Sequence, residues 1–339
     1  MGGDFGPQPV VAGAMAALHL YPNIERLFLV GFEKDIHAHL DGLPHDPARV
    51  TVVHASQVVG MHDKPVEAVR RKKDSSLSRA VDMVKEGEAD AVLSTGNTGA
   101  LLAAAQIKLR TLPGVDRPGL ATLFPSQKGR FLVLDVGANV EARPQHLRDY
   151  GVMGEVYARQ ILGCQNPRIG LLSIGTEEMK GNDLTLEAFR LLKASPINFV
   201  GNVEGHDLFS DKVDVVVTDG FTGNVLLKSC EATARFFALW LKEELSENLL
   251  RKAGAALAYG AFKSIKKKTN PDEYGGAVLL GVNGICIKAH GKASANAIRA
   301  AIRVAADATE QRVNTQIIEE LRLTHEKNHT AQPATAASA

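Results

Sequence analysis

The sequence predicts an α/β fold built on a mostly parallel sheet that helices cover on both faces. Short apolar segments alternate along the chain with longer segments of helical periodicity. Several apolar segments are hydrophobic at nearly every position, which is typical of strands buried on both faces. We expect one α/β domain over residues 1–324 and a small, polar, disordered tail over residues 325–339.

Apolar runs bounded by turn residues predict the strands, and the last two runs flank Asn283–Gly284, which indicates a hairpin. The predicted strands are residues 26–31, 49–55, 90–94, 120–124, 131–137, 168–175, 197–201, 213–220, 277–282 and 285–291. The predicted helices are residues 8–20, 64–87, 97–110, 144–162, 182–194, 221–250 and 292–322.

A helical excursion over residues 239–268 interrupts this alternation and ends in a basic cluster. A basic amphipathic segment can lie on an anionic membrane surface. A helical hairpin packed in a dimer, or a surface for an acidic carrier protein, explains the same residues. The cluster consists of Lys263, Lys266, Lys267 and Lys268.

Composition excludes several classes of function. The chain has 39 Lys and Arg against 38 Asp and Glu, and 5% aromatic residues, so no nucleic-acid partner is expected. Its 3 cysteines are far apart, which indicates a reduced, cytoplasmic protein. No apolar run reaches the roughly 18 residues that a membrane-spanning helix needs.

Polar, glycine-rich segments follow most of the predicted strands. At such strand ends glycine lets the backbone approach a ligand, and asparagine either caps a helix or reaches outward. Each residue taken singly has a simpler explanation: an asparagine caps a helix, an aspartate closes a turn, and a lysine is solvated in a loop. These segments are "MGGDFGP" (1–7), "STGNTG" (94–99), "DVGANV" (135–140), "IGTEEMKGN" (174–182), "NVEGHD" (202–207) and "TDGFTGN" (218–224).

One tripeptide occurs twice in equivalent places. Thr95–Asn97 and Thr222–Asn224 each follow an apolar strand and precede a helix. The repetition predicts that two strand ends use the same turn chemistry and face one cleft.

Common cofactor motifs are absent. The sequence contains no G-x-G-x-x-G, no G-x-x-x-x-G-K-[ST] and no G-x-S-x-G. The zinc-protease pattern does occur as "HEKNH" (325–329), but at the frayed end of the last helix, where no apolar helix presents both histidines. We therefore expect neither a cofactor nor a metal.

Taken together and in order, these segments resemble the bacterial phosphate acyltransferase family. The segments "VLDVGANV", "GLLSIGTEEMKGN", "VTDGFTGNVLLK" and "YGGAVLLGVNGICIKAHG" carry the resemblance as far as residue 291. It implies acyl transfer from acyl carrier protein to inorganic phosphate at the entry to phospholipid synthesis. It also implies a dimer and a fold similar to isocitrate and isopropylmalate dehydrogenases and to phosphotransacetylases. Family members usually carry a strand directly before the position of Met1, so a core strand is expected to be missing here.

The implied reaction needs positive charge for phosphate and neutral donors for the tetrahedral oxyanion, but no enzyme nucleophile. Our hypothesis assigns catalysis to Lys180, Asn224 and Asn97. It assigns substrate binding to Asp4, Gly96, Thr98, Asn139, Glu177, Asp219 and Gly223.

The expected partners are acyl carrier protein, phosphate, a second copy of the chain, a membrane surface through residues 239–268, and the membrane acyltransferase that uses acyl phosphate. Two alternative activities remain at this point. One is acyl transfer between phosphate and coenzyme A, as in phosphotransacetylases. The other is an oxidoreductase like isopropylmalate dehydrogenase, for which Arg143 and Arg148 form the only close arginine pair near a candidate loop. A non-enzymatic interaction protein would leave the polar strand ends unexplained.

Overall fold

The structure is a computed structural model that describes residues 1–127 and 129–330. Its strands form a two-stranded sheet and an eight-stranded sheet. The strands are β1 (Leu27–Gly31), β2 (Val50–His54), β3 (Ala91–Ser94), β4 (Gly119–Pro125), β5 (Arg130–Leu134), β6 (Ile169–Leu172), β7 (Phe199–Val203), β8 (Val215–Val217), β9 (Ala277–Leu280) and β10 (Ile285–Lys288).

Helices connect most of these strands. They are α1 (Gln8–Leu20), α2 (Glu33–Leu40), α3 (Pro65–Arg71), α4 (Ser76–Lys85), α5 (Thr98–Ala104), α6 (Pro144–Ile161), α7 (Asp183–Lys193), α8 (Gly220–Ser246), α9 (Leu249–Leu257), α10 (Tyr259–Thr269), α11 (Ala295–Glu310) and α12 (Val313–Thr330). Within the described part of the chain, no helix is both long and apolar enough to cross a membrane.

The large sheet has the order β3-β10-β9-β4-β5-β8-β6-β7. Strands β5, β8, β6 and β7 are parallel to one another, and β10 is parallel to β3. Antiparallel pairs join β10 to β9, β9 to β4 and β4 to β5. By this pairing β3, β10 and β4 run in one direction, and the other five strands run in the opposite direction.

Two apolar cores cover the two faces of the large sheet. One core packs α6, α7, α11 and α12 against the sheet. The other contains α3, α4 and α5, and Leu226 and Leu227 of α8 pack against it. Successive side chains of a strand point to opposite faces, so Ile285 and Ile287 join the first core while Cys286 joins the second.

Strands β1 and β2 form the small parallel sheet, which packs on α1, α2 and α11. A cavity of about 900 Å³ separates β1 from β3 and is lined by Leu29, Val92 and Ile298, among others. The strand that the family resemblance places before Met1 stays a prediction.

The structure confirms the predicted strands and the β9–β10 hairpin, with differences at the ends. The expected helix over 64–87 is wrong as one unit, because Ser75 caps a new helix, α4, with its Oγ accepting the Ser78 N–H. The expected helix over 292–322 is divided at Arg312, whose φ is 50°. Helix α2 was not predicted, since its eight residues carry few apolar positions.

The end of the chain differs from the expected tail. Helix α12 continues to Thr330, so residues 325–330 are helical, and residues 331–339 lie outside the described residues. His325 of the zinc-protease pattern contacts Asp149 at 3.1 Å, which anchors this end of α12 on α6.

Candidate active site

The turn after β3 contains the first Thr-Gly-Asn copy, and its asparagine is engaged on both sides. Asn97 is the N-cap of α5, where its Oδ1 accepts the Ala100 N–H at 3.0 Å. Its Nδ2 donates to the carbonyl oxygens of Gly60, Met61 and Asp63 at 3.0 to 3.3 Å. The side chain is 9% exposed. Asn97 therefore holds a neighbouring loop against the start of α5.

The N-terminal segment packs directly against this turn. A Cβ on Gly2 would lie 3.2 Å from the Cα of Gly96, which is itself buried. The N–H of Asp4 donates to the carbonyl oxygen of Gly291 at 2.9 Å, and the Asp4 side chain is exposed. Thr98 begins α5 and is half-buried. Asp4, Gly96 and Thr98 thus lie around one corner of the sheet.

The turn after β5 is built around the carboxylate of Asp135, which is fully buried. Its Oδ1 accepts N–H groups of Leu120, Gly137 and Ala138 at 2.8 to 3.1 Å. Its Oδ2 accepts the Asn139 N–H at 2.8 Å. Burial raises the pKa of Asp135, and these backbone hydrogen bonds act in the opposite direction. This carboxylate shapes the turn from inside.

Asn139 belongs to the same buried network and is 9% exposed. Its Nδ2 donates to the Pro118 carbonyl at 2.6 Å, to Asp135 Oδ2 at 3.1 Å and to the Tyr150 hydroxyl at 2.7 Å. These contacts join the turn to α6. A direct contact of Asn139 with substrate would require breaking them.

The second Thr-Gly-Asn copy differs from the first in its position relative to the helix. Asp219 is the N-cap of α8, and its Oδ1 accepts the N–H groups of Phe221 and Thr222 at 3.0 and 2.9 Å. Thr222–Asn224 therefore lies inside the helix rather than before it. The expectation of identical turn chemistry is wrong, because Asp219 starts this helix three residues before the tripeptide begins.

This position separates the roles of the last two residues of the second copy. A Cβ on Gly223 would lie 1.9 Å from the carbonyl oxygen of Asp135, so the helix start packs on the β5 turn only with glycine. Asn224 is exposed beside Gly137, where a Cβ would lie 3.7 Å from the Asn224 Oδ1. Among the predicted asparagines, Asn224 is the one whose amide faces outward.

The loop after β6 carries Lys180, and both Lys180 and Glu177 are exposed. A Cβ on Gly175 would lie 2.8 Å from Lys180 Cγ and 2.9 Å from Glu177 Oε2, so both side chains pass over this glycine. Asn202 of β7 donates from its Nδ2 to the Glu177 carbonyl at 2.9 Å. A hydrogen bond to its backbone thus holds this loop, while the charged side chains of Glu177 and Lys180 face solvent.

A buried lysine at the end of β10 was missed by the sequence reasoning. Lys288 is 9% exposed, and its Nζ donates to the carbonyl of Ala289. Burial lowers the pKa of Lys288 to about 8; Lys228 acts in the same direction, and Asp4 acts against it. The signal was present in the sequence, because Lys288 is the one charged residue in an otherwise apolar strand.

The sheet does not bring the two Thr-Gly-Asn copies to the same edge, since β3 and β8 run in opposite directions. What the copies share is a face of the sheet: α5 and the first turns of α8 both join the same apolar core. Lys288 lies beside the first copy, because the N–H of the next residue, Ala289, donates to the Ser94 carbonyl oxygen at 3.0 Å.

Among the described residues, one cluster has ligand atoms close enough to hold a metal ion. Ligand atoms of Glu204, His206 and Asp207 lie within 4.8 Å of one another. Asp207 is already paired with Lys212, which holds the pKa of Asp207 below its usual range. The absence of a metal requirement stays a prediction.

A protein family and two related proteins match this chain over most of its length. Residues 1–316 match the family described as "Fatty acid synthesis protein". The chain is 50% identical over 327 residues to the phosphate acyltransferase of Akkermansia muciniphila, covering 95% of this chain and 94% of that one. It is 48% identical over 313 residues to the phosphate acyltransferase of Pelotomaculum thermopropionicum, covering 92% and 91%.

The chain belongs to the phosphate acyltransferase family. Its fold is similar to that of phosphotransacylases of known structure. A phosphotransacetylase from Streptococcus pyogenes has a TM-score of 0.59 at 16% identity, covering 88% of this chain and 91% of that one. A branched-chain phosphotransacylase from Enterococcus faecalis V583 has a TM-score of 0.56 at 16% identity, covering 92% and 96%. These two likenesses concern the fold alone, and the predicted likeness to isocitrate dehydrogenase stays a prediction.

Proposed function

We propose that this protein transfers a fatty acyl group from acyl carrier protein to inorganic phosphate and so supplies acyl phosphate for phospholipid synthesis. The observation that carries the proposal is the half-identical match to phosphate acyltransferases over nearly the whole chain, which includes every polar strand end described above. The oxidoreductase alternative is set aside, because the family is one of acyltransferases.

In the proposed reaction a phosphate oxygen attacks the thioester carbonyl, a C–O bond forms, and the C–S bond breaks as the carrier thiolate leaves and takes up a proton. The protein must align two reactants and stabilise an oxyanion, for which exposed neutral donors and a lysine are suited. We assign Asn224 and Lys180 to these tasks, because both side chains are exposed at strand ends.

The remaining predicted residues take supporting roles in this proposal. Asn97 and Asn139 position the turns after β3 and β5, since their amides already donate to neighbouring backbone and side chains. Asp219 and Gly223 fix the start of α8. Asp4, Gly96, Thr98 and Glu177 stay candidates for substrate contact.

The test is an incubation with an acyl-carrier-protein thioester and labelled phosphate, followed by trapping of acyl phosphate with hydroxylamine. We expect acyl hydroxamate that depends on phosphate. A parallel reaction with the matching coenzyme A thioester separates the phosphotransacetylase alternative, which predicts the faster reaction with coenzyme A. Absence of product with either donor across several chain lengths contradicts acyl transfer.

We also propose that α8 packs against its counterpart in a second copy. Of its 27 residues, only Gly220 and Gly223 are buried. Phe236, Phe237 and Trp240 are 57% to 66% exposed, and the rings of Phe236 and Trp240 lie 6.2 Å apart. An apolar surface of this kind marks an interaction site. We expect the wild type to sediment as a dimer and Phe237→Glu to sediment as a monomer. A monomeric wild type contradicts the proposed dimer.

The tip formed by α9 and α10 is the proposed membrane contact. Leu249, Leu250 and Leu257 are 83% to 91% exposed, and Lys263 and Lys268 are exposed on α10. Apolar side chains next to lysines favour an anionic lipid surface. Flotation with vesicles containing anionic lipid tests the proposal; Leu249→Ser with Leu250→Ser is expected to abolish it. Binding that persists in this variant contradicts it. The same tip is a candidate contact for acyl carrier protein and for a membrane acyltransferase.

A further inference from the structure

A group of large apolar side chains is exposed at one end of the large sheet. Val140 follows β5, Ile174 and Met179 follow β6, and Phe221 follows β8 at the start of α8. These four side chains are 61% to 81% exposed. Single apolar side chains on a surface need no explanation, but a group of them marks a binding site. We call these four residues the strand-end rim.

The strand register brings the loops of the rim to the same end of the sheet. Strand β8 lies between β5 and β6, the three strands are parallel, and Leu134 and Leu171 both pair in register with Val217. Neighbouring strands lie about 4.8 Å apart, so the two outer strands are about 10 Å from each other. The loops that leave the carboxyl ends of these three strands are therefore neighbours.

A backbone hydrogen bond joins the loops after β5 and β8. The Gly220 N–H donates to the Asn139 carbonyl oxygen at 2.9 Å, and a Cβ on Gly220 would lie 2.7 Å from the same oxygen. Val140 and Phe221 are the residues that follow this bonded pair, so both leave the backbone beside the same contact. Phe221 and Asn224 are three residues apart on α8, which places them on one side of the helix.

The loop after β6 is closed so that its two apolar residues flank a hydrogen bond. The Ser173 hydroxyl donates to the Lys180 carbonyl oxygen at 3.1 Å. Ile174 follows one end of this hydrogen bond, and Met179 precedes the other. Rim residues are thus close in the chain to both side chains that we assign to the reaction, Lys180 and Asn224.

The surroundings of the rim favour an acyl chain over the other occupants that an apolar surface can take. Glu141 and Glu177 are exposed in the same loops, and carboxylates are repelled by an anionic lipid surface. With a rise of about 1.5 Å per residue, Phe236 of the proposed dimer surface lies roughly 22 Å from Phe221 along α8. A fatty acyl chain is uncharged, and its thioester has to reach Asn224.

We propose that the strand-end rim binds the fatty acyl chain of the acyl donor and so sets the preference for chain length. The proposal rests on the proposed function for the identity of the donor. Each methylene group that the rim removes from water stabilises the bound donor, so a long chain gains more than a short one. The rim then discriminates between donors, while Asn224 and Lys180 act on the carbonyl group that all donors share.

The first measurement is the ratio of kcat/KM for a tetradecanoyl donor to kcat/KM for a hexanoyl donor, both on acyl carrier protein. We expect Phe221→Ser and Met179→Ser each to lower this ratio by about tenfold, since each removes an apolar side chain that covers the longer chain. Phe221→Leu and Met179→Leu should retain most of the preference. Leu20→Ser is the matched control, because Leu20 is half exposed at the end of α1, and it should leave the ratio unchanged. Wild-type ratios in both serine variants overturn the proposal.

The second measurement is binding of a pyrene-labelled dodecanoate, followed by its fluorescence, with no acyl donor present. We expect the double variant Phe221→Ser with Met179→Ser to bind this probe about 10- to 100-fold more weakly than the wild type. Equal binding by the two proteins, or no binding by either, overturns the proposal.

The two measurements distinguish failure of this proposal from failure of the proposed function. If probe binding depends on the rim but the wild type forms no acyl phosphate, the proposed function fails and the acyl-chain site stands. If acyl phosphate forms but the serine variants keep the wild-type ratio, the proposed function stands and the rim is not the acyl-chain site.

Sedimentation of the same double variant separates an acyl chain from a second copy as the occupant. We expect the double variant to sediment as the wild type does, because the proposed dimer surface lies farther along α8. Dissociation of the double variant at an unchanged chain-length ratio overturns the proposal and makes the rim a subunit contact.

Discussion

The two Thr-Gly-Asn copies have the same sequence but different structural environments. In the first copy the tripeptide precedes the helix, and Asn97 caps it while donating to three carbonyl groups. In the second copy the tripeptide lies within the first turns of α8, Asp219 is the cap, and Asn224 is exposed. The asparagine is itself the cap in the first copy, whereas in the second the cap lies five residues before it. This placement decides whether the asparagine amide is enclosed or faces outward.

The largest effect is expected for the exposed donors. Asn224→Ala and Lys180→Ala should each lower kcat by about 10²- to 10³-fold, as loss of one oxyanion donor does. Because both side chains are exposed, each substitution should change the free energy of unfolding by no more than about 0.5 kcal/mol. Lys193→Ala is the matched control, since Lys193 pairs with Glu178 beside the same loop. Near wild-type turnover in Lys180→Ala would remove that residue from the mechanism.

The glycines of the two copies provide the next comparison. Gly223→Ala should destabilise the protein by about 3 kcal/mol or more, because its Cβ would meet the Asp135 carbonyl at 1.9 Å. Gly96→Ala should cost less than about 1 kcal/mol, since its Cβ meets its nearest neighbour, Ser94 Oγ, at 3.5 Å. Urea unfolding of both variants measures the difference. Equal stability of the two would contradict the different packing of the copies.

Asn97→Ala tests the structural role of the first copy. Loss of the cap and of the amide donors should reduce the free energy of unfolding by about 2 kcal/mol. Asn97→Asp keeps the acceptor for the Ala100 N–H but not the donors, so it separates the cap from the loop contact. If Asn97→Ala unfolds like the wild type while its kcat falls sharply, Asn97 contacts substrate and its structural role in the first copy is wrong.

A smaller effect than that of Asn97→Ala is expected at the cap of the second copy. Asp219→Ala should destabilise α8 by about 1 kcal/mol through loss of the N-cap. Asp219→Asn keeps an acceptor for the Thr222 N–H and should recover most of that loss. Thermal unfolding of the pair is the measurement; a failure of Asn to recover stability would mean that charge, not capping, is what matters at this position.

Local patterns in the sequence were sufficient for the strands and for most helices. Val215–Val217 and Leu132–Leu134 are predicted as buried strands because every position is apolar. The errors are also local in origin. Hydrophobic periodicity predicted one continuous helix through Ser75, but Ser75 caps the start of a separate helix, α4. Helix α2 has only eight residues, so its hydrophobic periodicity is too weak to predict it.

The candidate site was less predictable from sequence. Polar strand ends were found, but not which amides would be satisfied internally, since the partners of Asn97 are 34 to 37 residues away. Lys288 was overlooked because a lysine at the end of a strand is ordinarily solvated, and burial depends on α5 and α8 covering that face.

The sequence by itself determined the order of strands and helices, the polar composition of the strand ends and the family, because periodicity, turn residues and ordered motifs are local properties. Only the tertiary structure decided that β3 and β8 run in opposite directions, that Asn97 is enclosed while Asn224 is exposed, and that Lys288 is buried. Strand pairing and side-chain burial depend on residues far apart in the chain, and no short segment specifies them.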